Sequence, residues 1–305
     1  MKYYFIYNPA AGQGVTGKKF ISELKKIQQT SNLDITLYQT TGIGDATNYA
    51  ESIARENKGT DICVFACGGD GTTNEVISGI AEFSNVIFGI IPTGSCNDFL
   101  KQFPKHDFLN IDAQLNGNVV PCDLIKVDDF YCLNVTNIGF DAKVNFDQIN
   151  YRPRFKTIKG AYNFAILKNI IKPLSEKVLV RADDKIIHNG KAVLMAFGNG
   201  CFYGGGYNCT PEAKIDDGII DVIVVKKVSL LRFLFLIGKY KKGLIYNNHK
   251  YKKIVKCVKA KTIEVESPKT LTVCIDGETI HKNHVMIQIE KHKTRFILPN
   301  LKYEK

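Results

Sequence analysis

A glycine-rich turn follows one of the strongly apolar runs of the chain. It reads GGDGTTNE, from Gly68 to Glu75, and a helical pattern begins directly after its aspartate. Glycines allow positive φ and let backbone N–H groups approach a ligand closely, and the positive N-terminus of a helix attracts phosphate oxygens. Asp70 would repel a phosphate unless Mg²⁺ lay between them. The turn fits a nucleotide bound with its metal, although an ordinary strand-to-helix turn capped by Asp70 fits this short motif as well.

Two further turns have the same character. NPAAG, Asn8 to Gly12, follows the apolar run YYFIY, and PTGSCNDF, Pro92 to Phe99, follows VIFGII. All three turns are expected at the carboxyl ends of parallel strands, where open α/β sheets bind ligands, so together they favour the functional interpretation. By contrast, GQGVTGKK is not predicted to be a P-loop, because Lys19 stands where that motif requires a hydroxyl on magnesium.

The elements that must position these turns change in type along the chain. From Lys2 to about Asp123, strand-like and helix-like periods alternate, which predicts a parallel sheet wound with helices. From about Leu124 the segments are mostly strand-like, interrupted by two helix-like stretches at Ala161–Lys172 and Leu230–Lys241. We therefore expect an α/β fold with a second, β-rich domain and a boundary near Pro121.

Composition indicates the kind of partner that the protein binds and the compartment in which it is expected. The 305 residues carry a formal net charge of +11, which favours an anionic partner, but no nucleic-acid recognition motif accompanies the charge. The nine cysteines show neither a CxxC pair nor a zinc spacing, so buried thiols in a reducing cytosol are expected. Cys63, Cys67, Cys132 and Cys274 lie in apolar runs. No run is long enough for a spanning helix or a signal peptide, and a cytoplasmic location is expected.

The three turns, in this order and spacing, resemble the motifs of the diacylglycerol kinase catalytic family, especially its soluble bacterial lipid kinases. Two later segments extend the resemblance over nearly the whole chain: FGNGCFYGGGYNCTPEAKIDDGIIDV, from Phe197 to Val222, and IDGE, from Ile275 to Glu278. GGDG alone also occurs in NAD kinases and phosphofructokinases. The resemblance implies a Rossmann-like ATP-binding domain at residues 1–122, to which residues from about 292 to 305 return, and a sandwich-like lipid-substrate domain at residues 123–291.

The resemblance also implies roles for individual residues. Asp70 would serve the catalytic Mg²⁺, with Asp98 and Asp123 completing an acidic network, and Glu278 would be the general base that takes the proton from the lipid hydroxyl. A second, structural Mg²⁺ would be held by the Asp217 carboxylate and the backbone carbonyls of Lys214 and Ile219. ATP would contact Asn8, Pro9, Ala10, Ala11, Gly12, Thr40 or Thr41, Gly69, Asp70, Gly71, Thr72, Thr73, Asn74, Glu75 and Thr93.

One motif departs from the family pattern. The usual NDFAR reads NDFLK here, from Asn97 to Lys101, so an arginine that could contact phosphate is replaced by Lys101. Phosphoryl transfer requires a protein mainly to position the substrates and to spread charge. Carboxylates for Mg²⁺ and glycine turns for phosphate are the groups expected for that task. Without the resemblance, a hairpin turn with a solvated glutamate is the favoured interpretation of the segment around Glu278, and the resemblance reverses that preference.

The expected function is ATP- and Mg²⁺-dependent phosphorylation of a lipid hydroxyl, and diacylglycerol is the favoured acceptor. Phosphatidylglycerol, a sphingoid lipid, NAD as acceptor and a catalytically silent lipid carrier are the alternatives, and the sequence leaves a homodimer open. Twelve lysines and arginines and no acidic residue lie between Asp221 and Glu264, where LLRFLFLIG precedes a lysine cluster. This segment fits transient docking on an anionic membrane, or else a core helix that buries Leu230, Leu231, Leu234 and Ile237.

Overall fold

The alternating first part of the chain forms a parallel sheet wound with helices, as the sequence predicts. The computed structural model describes residues 1–11, 15–155, 157–171 and 174–301. In spatial order the strands are β2, β1, β3 and β4, and the final residues of strand β15 pair with β4, also in parallel. The elements of this part are β1 (Lys2–Tyr7), α1 (Val15–Thr30), β2 (Asp34–Gln39), α2 (Asp45–Glu56), β3 (Ile62–Gly68), α3 (Asp70–Ile80), β4 (Val86–Pro92), α4 (Ile111–Leu115) and β5 (Asn118–Val127).

The core of this sheet explains why its strands read as continuous apolar runs. Every residue of β3 is buried, as expected for a parallel strand covered by helices on both faces. The Phe5 and Phe65 rings stack at 4.5 Å between centroids, and Phe20 and Leu24 of α1 close the core above them. The strand ends, and therefore the turns that follow them, are fixed by this packing.

Later strands form a second, β-rich part with antiparallel pairing. The long strands β9 and β14 each pair with β8 over one part of their length and with β7 over another, so both take part in two layers around a shared apolar core. The elements are β6 (Phe130–Cys132), β7 (Val135–Gly139), α5 (Phe140–Tyr151), α6 (Ile158–Ile171), β8 (Glu176–Ala182), β9 (Lys185–Gly198), β10 (Phe202–Tyr203), β11 (Tyr207–Asn208), β12 (Ile220–Lys226), α7 (Leu230–Lys241), β13 (Val255–Ala260), β14 (Thr262–Ile275) and β15 (Glu278–Leu298).

Packing divides the chain into two units. One consists of Met1–Leu124 together with the segment that begins at Lys291, and the other is Ile125–Glu290. Helix α5 is absent from the sequence-based expectation, which allowed only two helical interruptions in the second part. Its sequence, FDAKVNFDQINY, has weak apolar periodicity, and its burial comes from Phe140, Ala142 and Val144. Within the described ranges, no helix is long and apolar enough to cross a bilayer.

A partly buried polar chain joins three elements of the second unit. The Tyr203 hydroxyl donates a hydrogen bond to the Asp141 carboxylate of α5 and lies 3.0 Å from the Tyr240 hydroxyl of α7. Burial raises the pKa of the Asp141 carboxyl to about 6, although the Tyr203 hydrogen bond acts in the opposite direction. The carboxyl therefore binds its proton more tightly in the folded protein than in the unfolded chain.

This pKa predicts a measurable pH dependence of stability. Because the folded pKa of Asp141 lies above the unfolded value of about 3.9, its contribution is fully present below that unfolded value and is lost as the pH rises through about 6. Between pH 4 and pH 7 we expect this group to lower the free energy of unfolding of wild type by an amount on the order of 3 kcal/mol. Asp141→Asn should abolish this decrease. Unfolding by urea at several pH values measures it, and parallel curves for wild type and variant would contradict the expectation.

Candidate active site

The GGDG turn and the PTGS turn pack backbone against backbone. The Gly94 N–H donates a hydrogen bond of 2.8 Å to the Gly68 carbonyl. A Cβ atom on Gly94 would lie 2.3 Å from the Gly69 Cα, and one on Gly68 would lie 2.3 Å from the Thr72 hydroxyl oxygen. None of the three glycines of GGDG has a positive φ, so the reason for glycine here is close approach and not the left-handed conformation.

Helix α3 begins at this turn with open space beside it. Gly69 is the N-cap and Asp70 the first helical residue, and the first N–H groups of a helix have no intrahelical partner. A Cβ placed on the exposed Gly71 would meet no atom of the described chain within 4 Å. The start of α3 therefore offers donors and room for an anionic group.

The NPAAG turn is tied to the same helix. The Asn8 side-chain amide donates to the Thr72 hydroxyl at 3.0 Å, and its oxygen accepts from the Ala10 N–H at 2.9 Å. The Asn8 N–H donates to the Cys67 carbonyl at the end of β3. Pro9 and Ala10 are exposed. Asn8 thus joins this turn to α3, and Gly12, the last of the five residues predicted for the turn, lies outside the described residues.

Other predicted nucleotide contacts have structural partners. Thr40 is buried and donates its N–H to the Tyr7 carbonyl at 2.9 Å, which fixes the end of β2 beside that of β1. The Glu75 carboxylate accepts from the Ala46 N–H at 3.2 Å, at the start of α2. Glu75 therefore holds α2 in place, whereas its contact with a nucleotide stays a prediction.

Two of the predicted acidic residues meet directly. The Asp98 N–H donates a hydrogen bond of 2.7 Å to the Asp70 carboxylate, and the left-handed conformation of Asn97 turns the chain so that it can do so. The buried Asp98 carboxylate forms an ion pair with Lys101, the residue that replaces the family arginine. Sequence reasoning did not foresee that pairing, although a spacing of three residues in a helical turn allows it.

Thr93, Asn74 and Asp123 lie in the interior of the same unit. Thr93 is 1% exposed, and its hydroxyl oxygen has no hydrogen-bond partner among the described residues. The Asn74 side-chain oxygen is in the same state within the described ranges. Asp123, on β5, is fully buried and accepts the His292 N–H at 2.6 Å. Its contact thus anchors the returning C-terminal segment.

Glu278 begins β15 at a two-residue hairpin turn. Asp276 and Gly277, with φ of 45° and 100°, connect Ile275 to Glu278, and the glutamate side chain is exposed. The Asp276 carboxylate accepts the N–H groups of Leu133, Asn134 and Val135, at 2.6 Å for the first. These bonds hold the backbone that carries Glu278, and the Asp-Gly pair in the sequence is the signal for such a turn.

A second helix contact supports this hairpin. The Asn145 amide of α5 donates to the Gly277 carbonyl at 2.6 Å. Sequence reasoning missed both Asn145 and Asp276, because α5 was not predicted and the backbone groups that Asp276 binds lie far away in the sequence. The hairpin interpretation and the functional one are therefore compatible: the turn is rigid and the carboxylate of Glu278 faces solvent.

The predicted structural metal site forms a tight turn of its own. The Asp217 carboxylate accepts the Ile219 N–H at 3.0 Å, and Gly218 has a φ of 74°. Lys214 is exposed at the start of this segment. The turn brings the three predicted ligands, Lys214, Asp217 and Ile219, into one short loop, where oxygen ligands suit a hard cation.

Another acidic cluster lies on the second unit. The ligand atoms of Glu264, Glu266 and His284 are within 4.8 Å of one another. However, the Arg181 guanidinium is ion-paired with both glutamates, and His284 hydrogen-bonds Glu264 at 2.8 Å. The His284 bond and Arg181 lower the pKa of Glu264. The cluster is therefore a partly exposed ion-pair network whose cation is an arginine.

Comparison with known proteins identifies the family to which these residues belong. The profile of the diacylglycerol kinase catalytic domain matches residues 2–127, and that of the YegS C-terminal NAD kinase beta sandwich-like domain matches residues 134–297. A diacylglycerol kinase of Staphylococcus saprophyticus is 30% identical over 277 residues, covering 90% of this chain and 87% of the relative. The chain belongs to the diacylglycerol kinase family. It is therefore a lipid kinase by family, as the resemblance implies.

Other relatives and solved structures agree in fold. A Staphylococcus aureus diacylglycerol kinase is also 30% identical over 277 residues, covering 90% of this chain and 84% of the relative. The crystal structure of a diacylglycerol kinase from Bacillus anthracis strain Sterne is similar with a TM-score of 0.71 and 26% identity, over 97% of this chain and 96% of that one. An NAD kinase from Archaeoglobus fulgidus, solved with ATP, shares the fold at a TM-score of 0.54 and 11% identity, over 98% of this chain and 94% of that one.

Proposed function

We propose that this diacylglycerol kinase family member transfers the γ-phosphoryl group of ATP, with Mg²⁺, to the free hydroxyl of diacylglycerol and so produces phosphatidic acid. The observation that carries the proposal is the joining of the three turns at the ends of β1, β3 and β4. Asn8 bonds Thr72, Gly94 bonds Gly68, and Asp98 bonds Asp70. Each turn supplies small residues or carboxylates, which suit a nucleotide and its metal.

The donor set fits Mg²⁺. Asp70 and Asp98 provide hard oxygen ligands on two turns that the Asp98 N–H joins to the Asp70 carboxylate, and Lys101 pairs with the Asp98 carboxylate. Asp123 would complete the acidic network through water. When bound, Mg²⁺ supplies positive charge to the oxygens of the transferring phosphoryl group. The carboxylates of this chain hold that charge in place.

The chain's own groups bind and orient the nucleotide. The N–H groups of Gly69, Asp70 and Gly71 at the start of α3 donate to phosphate oxygens, in the open space beside Gly71. The buried Thr93 hydroxyl, which has no partner in the described part of the chain, serves as a further donor. Asn8 to Gly12 and Thr40 contact the remainder of the nucleotide, and Thr72, Thr73, Asn74 and Glu75 support or contact it from α3.

Glu278 acts as the general base. Its exposed carboxylate stands on a hairpin fixed by Asp276 and Asn145, so it accepts the proton of the lipid hydroxyl without reorganisation of its backbone. The oxygen of the lipid then attacks the phosphorus, and ADP leaves.

A panel of acceptors tests the substrate class. Purified protein is incubated with ³²P-labelled ATP, Mg²⁺ and, separately, diacylglycerol, phosphatidylglycerol, a sphingoid base and NAD. We expect diacylglycerol to gain the label, and Asp70→Asn serves as the inactive control. Label on phosphatidylglycerol or the sphingoid base would reassign the lipid, and label on NAD would overturn the proposal of a lipid acceptor.

A structural Mg²⁺ in the Lys214–Ile219 turn gives a separate prediction. Losing the Asp217 carboxylate removes the anionic ligand of a hard-cation site, so Asp217→Ala should weaken the stabilisation that bound Mg²⁺ adds to the folded state. The melting temperature of wild type should rise more with added Mg²⁺ than that of the variant. Asp216→Ala, the same charge change one residue away, is the matched control, and equal responses in all three proteins would reject the site.

A further inference from the structure

Helix α7 is apolar on two opposite faces. Phe233, Leu236 and Tyr240 are buried in the apolar cluster of the second unit, and Phe233 packs edge-on against Phe140 of α5, with 4.9 Å between ring centroids. The alternative of a core helix is right in that α7 has a core face, against which Ile237 also packs, but it is wrong in placing Leu230, Leu231 and Leu234 there. These three leucines are 38%, 81% and 47% exposed, and Phe235 is 67% exposed.

The exposed apolar residues share one side of the helix. Leu231, Leu234 and Phe235 stand at positions i, i+3 and i+4, which lie next to one another on a helix surface. We call these three side chains the α7 ridge. Large apolar side chains exposed together on a helix, opposite a face that already serves the core, mark an interaction surface more often than isolated exposed residues do.

Basic side chains lie beside the C-terminal end of the α7 ridge. Lys239 lies over the Phe235 ring, with 4.3 Å between its Nζ and the ring centroid, and donates to the Tyr251 hydroxyl at 3.0 Å. Lys241 and Lys242 are exposed at the end of the helix. The sequence between Asp221 and Glu264 has twelve lysines and arginines and no acidic residue. A partner of this surface must therefore be apolar in part and anionic in part.

The neighbouring helices α5 and α6 also expose apolar side chains. Helices α5 and α6 pack on the same apolar cluster as α7, and Ile149, Phe164 and Leu167 are exposed on them. Their acidic residues are Asp141 and Asp147, both on α5. Asp141 is bonded to Tyr203, and the buried Asp147 is bonded to Lys168 and Asn169. In their described residues, α5 and α6 thus add exposed apolar surface next to α7 and no acidic side chain that lacks a hydrogen-bond partner.

We propose that the α7 ridge inserts into the interfacial region of an anionic lipid bilayer, with Lys239, Lys241 and Lys242 on lipid phosphates. Leucine and phenylalanine on one face with lysines at its border is the arrangement of helices that lie in the membrane interface. Each basic residue near an anionic surface adds attraction that salt weakens. The inference rests on the proposed function, since a lipid kinase must reach a substrate held in a membrane.

The chain contains no tryptophan, so one substitution turns the α7 ridge into a reporter. Leu231→Trp introduces a sole tryptophan at the most exposed position of the ridge, and Ile186→Trp places one on β9 at a site that is 61% exposed. With vesicles of phosphatidylglycerol and phosphatidylcholine, we expect the emission of Leu231→Trp to shift to shorter wavelength and to be quenched by brominated acyl chains. Ile186→Trp should show neither change.

Charge reversal tests the electrostatic part. Lys241→Glu combined with Lys242→Glu should lower affinity for the anionic vesicles at least about tenfold at low salt, whereas Lys177→Glu combined with Lys185→Glu should change it less than about twofold. These controls reverse two exposed lysines on β8 and β9. Unchanged affinity in the first double variant, or no lipid-dependent change in Leu231→Trp emission, overturns the proposal.

Two further outcomes separate this inference from others. An emission shift of Leu231→Trp that follows protein concentration in the absence of lipid would show that a second copy covers the ridge, which also overturns membrane docking. Activity on a dispersed short-chain diacylglycerol without vesicle binding would reject the docking surface and leave the proposed function intact. Vesicle insertion without phosphoryl transfer to any lipid would do the reverse.

Discussion

Asp70→Asn should lower kcat/KM for lipid phosphorylation by at least about 10²-fold, which corresponds to a loss of about 3 kcal/mol of transition-state stabilisation. The substitution removes one negative charge from the residue proposed to hold Mg²⁺, while an asparagine side-chain oxygen can still accept the Asp98 N–H that now reaches Asp70 at 2.7 Å. The contact between the GGDG turn and the PTGS turn should therefore persist, and the loss should appear in the chemical step.

Steady-state kinetics and thermal unfolding measured together check this expectation. Asp34→Asn, the same change on an exposed residue of β2, is the control and should leave activity unaltered. A melting temperature close to that of wild type would show that the fold is kept. Activity of the Asp70 variant within about threefold of wild type would remove Asp70 from the metal site, because charge stabilisation in a phosphoryl-transfer site is worth far more.

Glu278→Gln should reduce kcat by about 10²-fold or more and leave ATP affinity nearly unchanged. Glutamine is similar in shape to glutamate but cannot take a proton at neutral pH, so only proton transfer is lost. The hairpin should stay in place because it is held by Asp276 and by Asn145, not by the Glu278 side chain. Single-turnover kinetics and calorimetric titration with a non-hydrolysable ATP analogue measure the two quantities.

A matched change elsewhere in the second unit controls for charge. Glu212→Gln alters an exposed glutamate in the segment before β12 and should leave kcat within about twofold. If Glu278→Gln weakened ATP binding as strongly as it lowered kcat, Glu278 would have to be assigned as a nucleotide contact. An unchanged kcat would exclude it as the base.

The sequence predicts the turns of the candidate site well because the relevant signals are local. Each apolar strand is followed at once by its turn and its helix, so GGDGTTNE and PTGSCNDF are placed correctly at strand ends by their neighbours alone. What the sequence does not reveal is the set of partners from distant segments. The Glu75 contact with Ala46 and the Asp276 contacts with Leu133 depend on tertiary packing.

Helices α5 and α7 show two different limits of pattern reading. In α5 the apolar residues do not repeat clearly, and the helix forms because Phe140 and Val144 are buried by neighbouring elements. In α7 seven of the first eight positions are apolar, so periodicity cannot tell which side faces the core. The leucines Leu230, Leu231 and Leu234 satisfy helical spacing, and so do Phe233, Leu236 and Tyr240. The second set is buried because it packs against the apolar cluster of the second unit.

The return of the chain to the first unit has a consequence during synthesis. Arg295 and Phe296 pair with Ile87 and Phe88 of β4, and His292 donates its N–H to Asp123. These residues leave the ribosome after Ile125–Glu290, so β4 keeps an unpaired edge until they emerge, while Ile125–Glu290 is already available to fold. An unpaired parallel strand is prone to wrong association, and a nascent chain that stops before Lys291 would be a ready target for chaperones and proteases.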